Sequence, residues 1–198
     1  MSTILKYILL LGLFFGPVLN AQQVKELPVD PRVQKSKLAN GFTYYLVNNQ
    51  LQKGYADFYL VRRVGENNEG RDETGFNQMV SELGLMGSRN FPGNTVVTYF
   101  EEMGLKMSDD FMVVNGRENS MYRVENVPVG RGGSIVDSTL LIIFNWMASI
   151  NMDEEEVEVQ KQLFQNRYAG VLPDTLMDGV NNCSSKDIRN FYYKWFRP

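Results

Sequence analysis

Residues 75–87 read Gly75-Phe-Asn-Gln-Met-Val-Ser-Glu-Leu-Gly-Leu-Met-Gly87. The apolar residues of this stretch recur at intervals of three and four, the spacing of one face of an α-helix, and a glycine stands at each end. The spacing therefore predicts a helix from Phe76 to Leu85. Gln78 and Glu82 lie four residues apart, so they share a second face of that helix. The residues on the apolar face are Phe76, Met79, Val80 and Leu83.

The segments on either side of this helix predict a sheet and further helices. Strands are predicted where β-forming residues run between turn signals, over 42–47, 54–64, 111–114 and 121–127. Helices are predicted from Asn94 or Thr95 through Met103, and over 135–150, 153–168 and 187–195. Grouped strands and helices, rather than strict alternation, indicate an α+β fold with a mixed or antiparallel sheet packed against helices.

The N-terminus has the pattern of a secretory signal peptide. Lys6 precedes an apolar run from Tyr7 to Phe15, and the small residue Ala21 follows shortly after. We expect residues 1–21 to be a signal peptide cleaved after Ala21, and residues 22–37 to be an extended lead-in. An uncleaved anchor is the alternative, although the run is short for a membrane span. The prediction is export to the periplasm or cell envelope, with no stable membrane span after cleavage.

Composition argues against several classes of function. The 198 residues carry a net charge of -3, with both signs interspersed, so no basic surface favours nucleic acid. The chain has no histidine, and Cys183 is its one cysteine, so a serine or cysteine nucleophile would lack its usual histidine base. The stretch Gly130–Ser134 lacks the Lys-Ser/Thr ending of a phosphate-binding loop. We find no intact set of catalytic residues and expect no cofactor.

Five short stretches occur in a fixed order along the chain. They are LANGFTYY at 38–45, DETG at 72–75, GSRNFPGN at 87–94, YFEEMGL at 99–105 and FYYKWFRP at 191–198. Together they resemble the pitrilysin/insulinase family of zinc metallopeptidases. The resemblance implies that residues 38–198 form an N-terminal domain of the insulinase or mitochondrial processing peptidase type. Family members continue into further strands and domains, so the resemblance also implies that this domain is C-terminally incomplete.

The family carries its zinc site on the helix that corresponds to Phe76–Leu85, in the motif H-x-x-E-H. The resemblance places the two metal-binding histidines at Gln78 and Glu82, and the water-activating glutamate at Ser81. One amide and one carboxylate are poor substitutes for two imidazoles, and a hydroxyl is no base for a water that no metal has acidified. The third ligand, a glutamate in the family, comes from a helix corresponding to 160–168, where this chain has Gln165-Asn-Arg167. We expect a vestigial site without zinc, although Glu154–Glu158 lies one to two turns earlier as an alternative source of a ligand.

The resemblance also implies a peptide-binding sheet edge, because family substrates add as a strand beside the active site. The corresponding strand here is Phe111, Met112, Val113, Val114 and Asn115. Backbone pairing does not depend on side chains, so peptide capture can outlast catalysis. The leading hypothesis is a non-catalytic subunit or peptide-binding partner of a homologous peptidase with an intact motif. The alternatives are a zinc-dependent metalloendopeptidase with an atypical site, a stand-alone peptide-binding or scaffold module, and the product of a decaying gene.

Overall fold

The structure is a computed structural model that describes residue 28, residues 30–171 and residues 174–196, except the side chains of 174–176. The predicted signal peptide, residues 1–21, lies outside the described residues, as do residues 22–27 and 29 of the predicted lead-in. The chain divides into two compact units, which we describe separately. The smaller unit comprises residues 1–35 and 45–48, and the larger comprises residues 36–44 and 49–198.

The smaller unit contains most of a two-stranded sheet formed by β1 (Val33–Lys37) and β2 (Thr43–Val47). The sequence predicted β2, whereas β1 lies in the segment that it predicted only as an extended lead-in. The predicted turn at 38–41, which belongs to the larger unit, is present, since Gly41 N–H donates to the Leu38 carbonyl at 2.9 Å. Gly41 has a φ of 92°, a conformation that favours glycine.

The larger unit contains a three-stranded antiparallel sheet. Its strands are β3 (Ala56–Arg62), β4 (Phe111–Asn115) and β5 (Ser120–Val127), in the spatial order β3-β5-β4. The central strand β5 buries Ser120, Tyr122 and Val124 in alternation, so one face of the sheet packs against the interior. The observed strands fall within a few residues of the predicted ones.

Six α-helices and three short 3-10 helices complete the described part of the larger unit, and the α-helices confirm the predicted α+β class. The sequence predicted all of the α-helices except α5, a short polar helix with a glycine in its middle. Gly179 is required there because a Cβ would lie 2.6 Å from the Thr74 carbonyl oxygen. The helices are α1 (Phe76–Met86), α2 (Thr95–Glu102), α3 (Gly133–Ala148), α4 (Glu154–Tyr168), α5 (Asp174–Asn182) and α6 (Ser185–Trp195).

Two apolar clusters hold the larger unit together. The first joins α1 to α4 and α6 through residues such as Met79, Leu83, Phe164 and Ile188. The second lies between the sheet and α2 and α3, and its members include Phe100, Phe111, Tyr122, Val124 and Trp146. Among the described residues, no helix is both long enough and apolar enough to span a membrane.

Candidate functional site

The start of helix α1 is fixed by a carboxylate from the preceding loop. Glu69 accepts hydrogen bonds from the backbone N–H groups of Gly75, at 3.0 Å, and Asn77, at 2.8 Å, which the first turn of a helix otherwise leaves unpaired. A side chain at Gly75 is excluded, because a Cβ there would lie 2.6 Å from the Val180 side chain and φ is 88°. Burial raises the pKa of Glu69, and the two N–H bonds only partly oppose this. The start of α1 determines where every later side chain of the helix lies.

Three side chains of α1 hydrogen-bond to Asn115, the last residue of strand β4. Asn115 Nδ2 donates to Gln78 Oε1 at 2.8 Å, and Ser81 Oγ donates to Asn115 Oδ1 at 2.9 Å. Asn77 Nδ2 also donates to Asn115 Oδ1, at 3.3 Å. The structure therefore brings together Gln78 and Ser81, two predicted motif positions, and the last residue of the predicted peptide-binding strand.

The third motif position, Glu82, is held by a separate set of donors from α1 and α4. Glu82 Oε1 accepts hydrogen bonds from Gln78 Nε2 and Arg167 Nη1, and Glu82 Oε2 accepts one from Gln160 Nε2. The side chain of Glu82 is 10% exposed, whereas that of Arg167 is 52% exposed. The negative charge of Glu82 is thus balanced by a guanidinium that is half in solvent.

Arg167 carries a permanent positive charge at this site. Burial of the guanidinium lowers the pKa of Arg167, but the charge of Glu82, together with hydrogen bonds to Tyr168 and Glu82, outweighs burial and raises it. An arginine whose pKa is raised further stays protonated at any pH that proteins tolerate. The site that the resemblance predicts to correspond to the family's metal position therefore contains a cation of the chain itself.

These residues do not fit a zinc ion. Zinc sites combine imidazole, thiolate and carboxylate ligands, and this site offers one carboxylate whose two oxygens already accept three hydrogen bonds. A divalent cation beside Glu82 would also be repelled by Arg167. Within 30–171 and 174–196, no group of three His, Cys, Asp or Glu side chains is placed to hold a metal. The absence of zinc itself stays a prediction.

The acidic start of α4 is engaged away from this site. Glu154 Oε2 accepts a hydrogen bond from Ser185 Oγ at 2.6 Å, and Glu158 pairs with Lys161 at 3.5 Å. The α4 residues that reach Glu82 are instead Gln160 and Arg167. Both lie in the segment 160–168 that the resemblance assigned to the third ligand, but no contact of either residue with Glu82 was predicted. They lie seven residues apart, two helical turns, so they share one face of α4. That spacing was the sequence signal that could have identified Gln160 and Arg167 as neighbours on one helix face.

The pairing of β4 with β5 decides which backbone groups of β4 point to the open edge. Glu125 N–H donates to the Asp110 carbonyl at 2.7 Å, and Gly116 N–H donates to the Asn119 carbonyl at 2.9 Å. In an antiparallel pair, directly hydrogen-bonded residues alternate with residues whose backbone groups face away. The even-numbered residues of β4 therefore bond to β5, and 111, 113 and 115 direct their N–H and C=O groups outward.

The open part of this edge is short and ends at Asn115, which bonds the predicted motif positions Gln78 and Ser81. The N–H of Phe111 donates to Lys106 at 3.3 Å, and its carbonyl accepts from Ser108 at 3.0 Å, so this end is closed. In the part of the chain that the structure describes, the backbone groups of Val113 and Asn115 have no such partner. Strand β4 is thus an edge strand with two residues free to pair. Peptide binding there stays a prediction.

A family model for insulinase, peptidase family M16, matches residues 45–178. The chain belongs to the insulinase family. The match confirms the resemblance seen in the five sequence stretches, whereas the predicted boundaries at residues 21, 37 and 198 stay predictions.

Two curated relatives are both named probable zinc protease PqqL. The protein from Haemophilus influenzae is 26% identical over 97% of this insulinase-family chain and 23% of the relative. The protein from Escherichia coli K12 is 23% identical over 87% of this chain and 21% of the relative. The chain therefore spans less than a quarter of the length of the curated relatives it matches.

Solved structures support the fold assignment. The first half of the periplasmic protease PqqL from Escherichia coli has a TM-score of 0.79 and 20% identity, over 87% of this chain and 42% of that one. A mutant of the ferredoxin protease FusC, in complex with Arabidopsis ferredoxin, has a TM-score of 0.73 and 20% identity, over 84% of this chain and 21% of that one. At these identities, the likeness concerns the insulinase-type fold alone.

Proposed function

We propose that this insulinase-family chain is catalytically inactive and acts in the cell envelope as a non-catalytic, peptide-binding partner of a metal-bearing homologue. One observation carries the proposal. At the position of the family's second metal-binding histidine, the buried carboxylate of Glu82 is bound by Arg167 and Gln160. A side-chain cation takes the role of charge balance that a metal has in an active relative.

The residue at the predicted catalytic position, Ser81, also lacks the chemistry that hydrolysis requires. Hydrolysis by the family requires a glutamate that takes a proton from metal-bound water. Ser81 is fully buried, and its hydroxyl donates to Asn115, so it neither faces a substrate nor serves as a base. With no histidine in the chain, no other residue supplies an imidazole for this step.

A partner that carries the metal accounts for the retention of the fold without the catalytic residues. The relatives that share this fold are named zinc proteases, and this chain spans less than a quarter of their length. An inactive unit can contribute surface and peptide-binding backbone while a homologous unit with intact H-x-x-E-H performs hydrolysis. The open backbone of Val113 and Asn115 is the element that would hold extended peptides.

Export is supported by two separate observations. Residues 1–21 have the pattern of a signal peptide, and the structurally similar PqqL is described as a periplasmic protease. Cell fractionation of the native strain, with immunodetection of the chain, tests this point. Recovery of the full-length chain in the cytoplasm would contradict it.

The test of the main proposal is co-expression with a motif-intact homologue from the same genome. We expect the two chains to co-purify and to crosslink, with zinc recovered in a 1:1 ratio to the homologue and none assigned to this chain. The matched control is this chain expressed alone, which should contain no zinc by elemental analysis. Stoichiometric zinc in the chain expressed alone would instead favour a zinc-dependent metalloendopeptidase with an atypical site.

The open edge of β4 favours a second candidate, a stand-alone peptide-binding or scaffold module. The two candidates differ in what the isolated chain does. A stand-alone module binds extended peptides with full affinity in the absence of a partner and forms no complex with the homologue. Isothermal titration with and without the homologue separates them.

A further inference from the structure

We infer that the edge of β4 selects extended peptides that carry a carboxylate, and that Arg167 binds this carboxylate. The inference rests on the peptide capture in the proposed function and adds the chemistry of the ligand. It is carried by the position of Arg167 relative to the open edge, its free hydrogen-bond donors and the buried charge beneath it.

Arg167 is connected to the open edge through two hydrogen-bonded side chains. Asn115 Nδ2 donates to Gln78 Oε1, and the Gln78 amide donates to the Glu82 oxygen that also accepts from Arg167. A strand advances about 3.3 Å per residue. Three hydrogen bonds thus link the guanidinium to the last residue of the open edge, and an acidic group a residue or two from the peptide position paired with Asn115 is the group that the inference assigns to Arg167.

The Arg167 guanidinium has more N–H donors than its bonds within the chain use. Arginine presents five N–H groups in a planar fork that matches a carboxylate with two parallel hydrogen bonds. Arg167 bonds Glu82 through Nη1 and also hydrogen-bonds Tyr168, which leaves further N–H groups, and the side chain is 52% exposed. The exposed part of the fork can bind a second carboxylate without giving up the first.

Glu82 does not oppose such a ligand strongly. Its two oxygens accept hydrogen bonds from Gln78, Gln160 and Arg167, and its side chain is 10% exposed. The buried carboxylate is therefore surrounded by donors that shield it from an incoming anion, and the half-exposed Arg167 extends from it toward solvent. A guanidinium shared between a buried and a solvent-side carboxylate is a stable arrangement for a planar fork.

The test uses the full chain and three ten-residue peptides of alternating valine and threonine, each carrying an uncharged fluorophore at its N-terminus. The first contains one central glutamate and an amidated C-terminus, the second a central glutamine with a free C-terminal carboxylate, and the third a central glutamine with an amidated C-terminus. Fluorescence anisotropy gives the dissociation constant for each. We expect at least one carboxylate peptide to bind about tenfold more tightly than the neutral peptide, as a charge-assisted hydrogen bond at a half-exposed site allows. Which of the two does so identifies the carboxylate as a side chain or a chain end.

Variants assign the preference to Arg167. In Glu82→Gln/Arg167→Gln, both charges are removed together and the site keeps its amides, so we expect the tenfold preference to vanish while neutral-peptide binding persists. Arg167→Lys should keep part of the preference, and Arg131→Gln, at an exposed position, should keep all of it. Equal binding of all three peptides to the parent chain overturns this inference and leaves peptide capture standing. No binding of any peptide overturns both.

Discussion

The ion pair between Arg167 and Glu82 leads to the sharpest prediction about stability. Replacement of Arg167 by glutamine removes the cation that pairs with Glu82, whose side chain is 10% exposed. Loss of one partner from a fully buried pair costs about 3–5 kcal/mol, and loss from an exposed pair costs about 0–1 kcal/mol. Because Arg167 is half exposed, and because Gln78 and Gln160 still donate to Glu82, we expect a loss of about 1–2 kcal/mol.

Urea unfolding followed by tryptophan fluorescence measures this loss. With a denaturant slope of about 2 kcal/mol per molar urea, the unfolding midpoint should fall by about 0.5–1 M. The double variant Glu82→Gln/Arg167→Gln should recover part of the loss, because no buried charge is left without a partner, with a coupling of about 0.5 kcal/mol or more. Arg131→Gln, at an exposed position, is the matched control and should change the midpoint little. The reasoning is refuted if Arg167→Gln and the double variant are equally destabilised, or if Arg167→Gln behaves like the control.

Three further predictions concern separate parts of the molecule. Ser81→Glu alone should give neither hydrolysis of a quenched fluorescent peptide nor bound zinc by elemental analysis, since Gln78 and Glu82 remain; turnover by this variant would overturn the proposed inactivity. Gly179→Ala should destabilise the chain by about 1–3 kcal/mol in a thermal melt, because its Cβ would lie 2.6 Å from the Thr74 carbonyl oxygen. The control Gly133→Ala, with open space around it, should leave the melting temperature unchanged. Equal melting temperatures for the two variants would contradict the close packing of α5. Burial raises the pKa of Glu69 in the folded chain above its usual 4.5, so the folded state binds this proton more tightly than the unfolded state and stability should fall as pH rises just above 4.5. In that pH range, the slope of unfolding free energy against pH should be less negative for Glu69→Gln than for the parent chain. An identical slope would show that Glu69 does not cause the pH dependence.

The elements with strong local patterns were predictable from the sequence. Helix α1 has an uninterrupted apolar face, and strands β3, β4 and β5 have β-forming residues between turn signals, so local preference and packing agree. Strand β1 is charged and mostly exposed, and α5 is polar with a central glycine, so both depend on neighbours that are distant in the sequence.

The residues of the candidate site were predictable only in part. The family motif fixed Gln78, Ser81 and Glu82 because their spacing along one helix is preserved. The partners Asn115, Gln160 and Arg167 come from other elements, 34 to 85 residues away from the residues they bond. Side-chain contacts over such separations depend on how helices and strands pack, which spacing along one segment does not encode.

The cation beside Glu82 belongs to the polypeptide and is present as soon as the chain is synthesised. A metal centre fills according to the concentration of free ion around it, and it empties on dilution or in the presence of a chelator. A guanidinium on α4 does neither, so the core around α1 should form equally well in metal-starved and metal-rich surroundings.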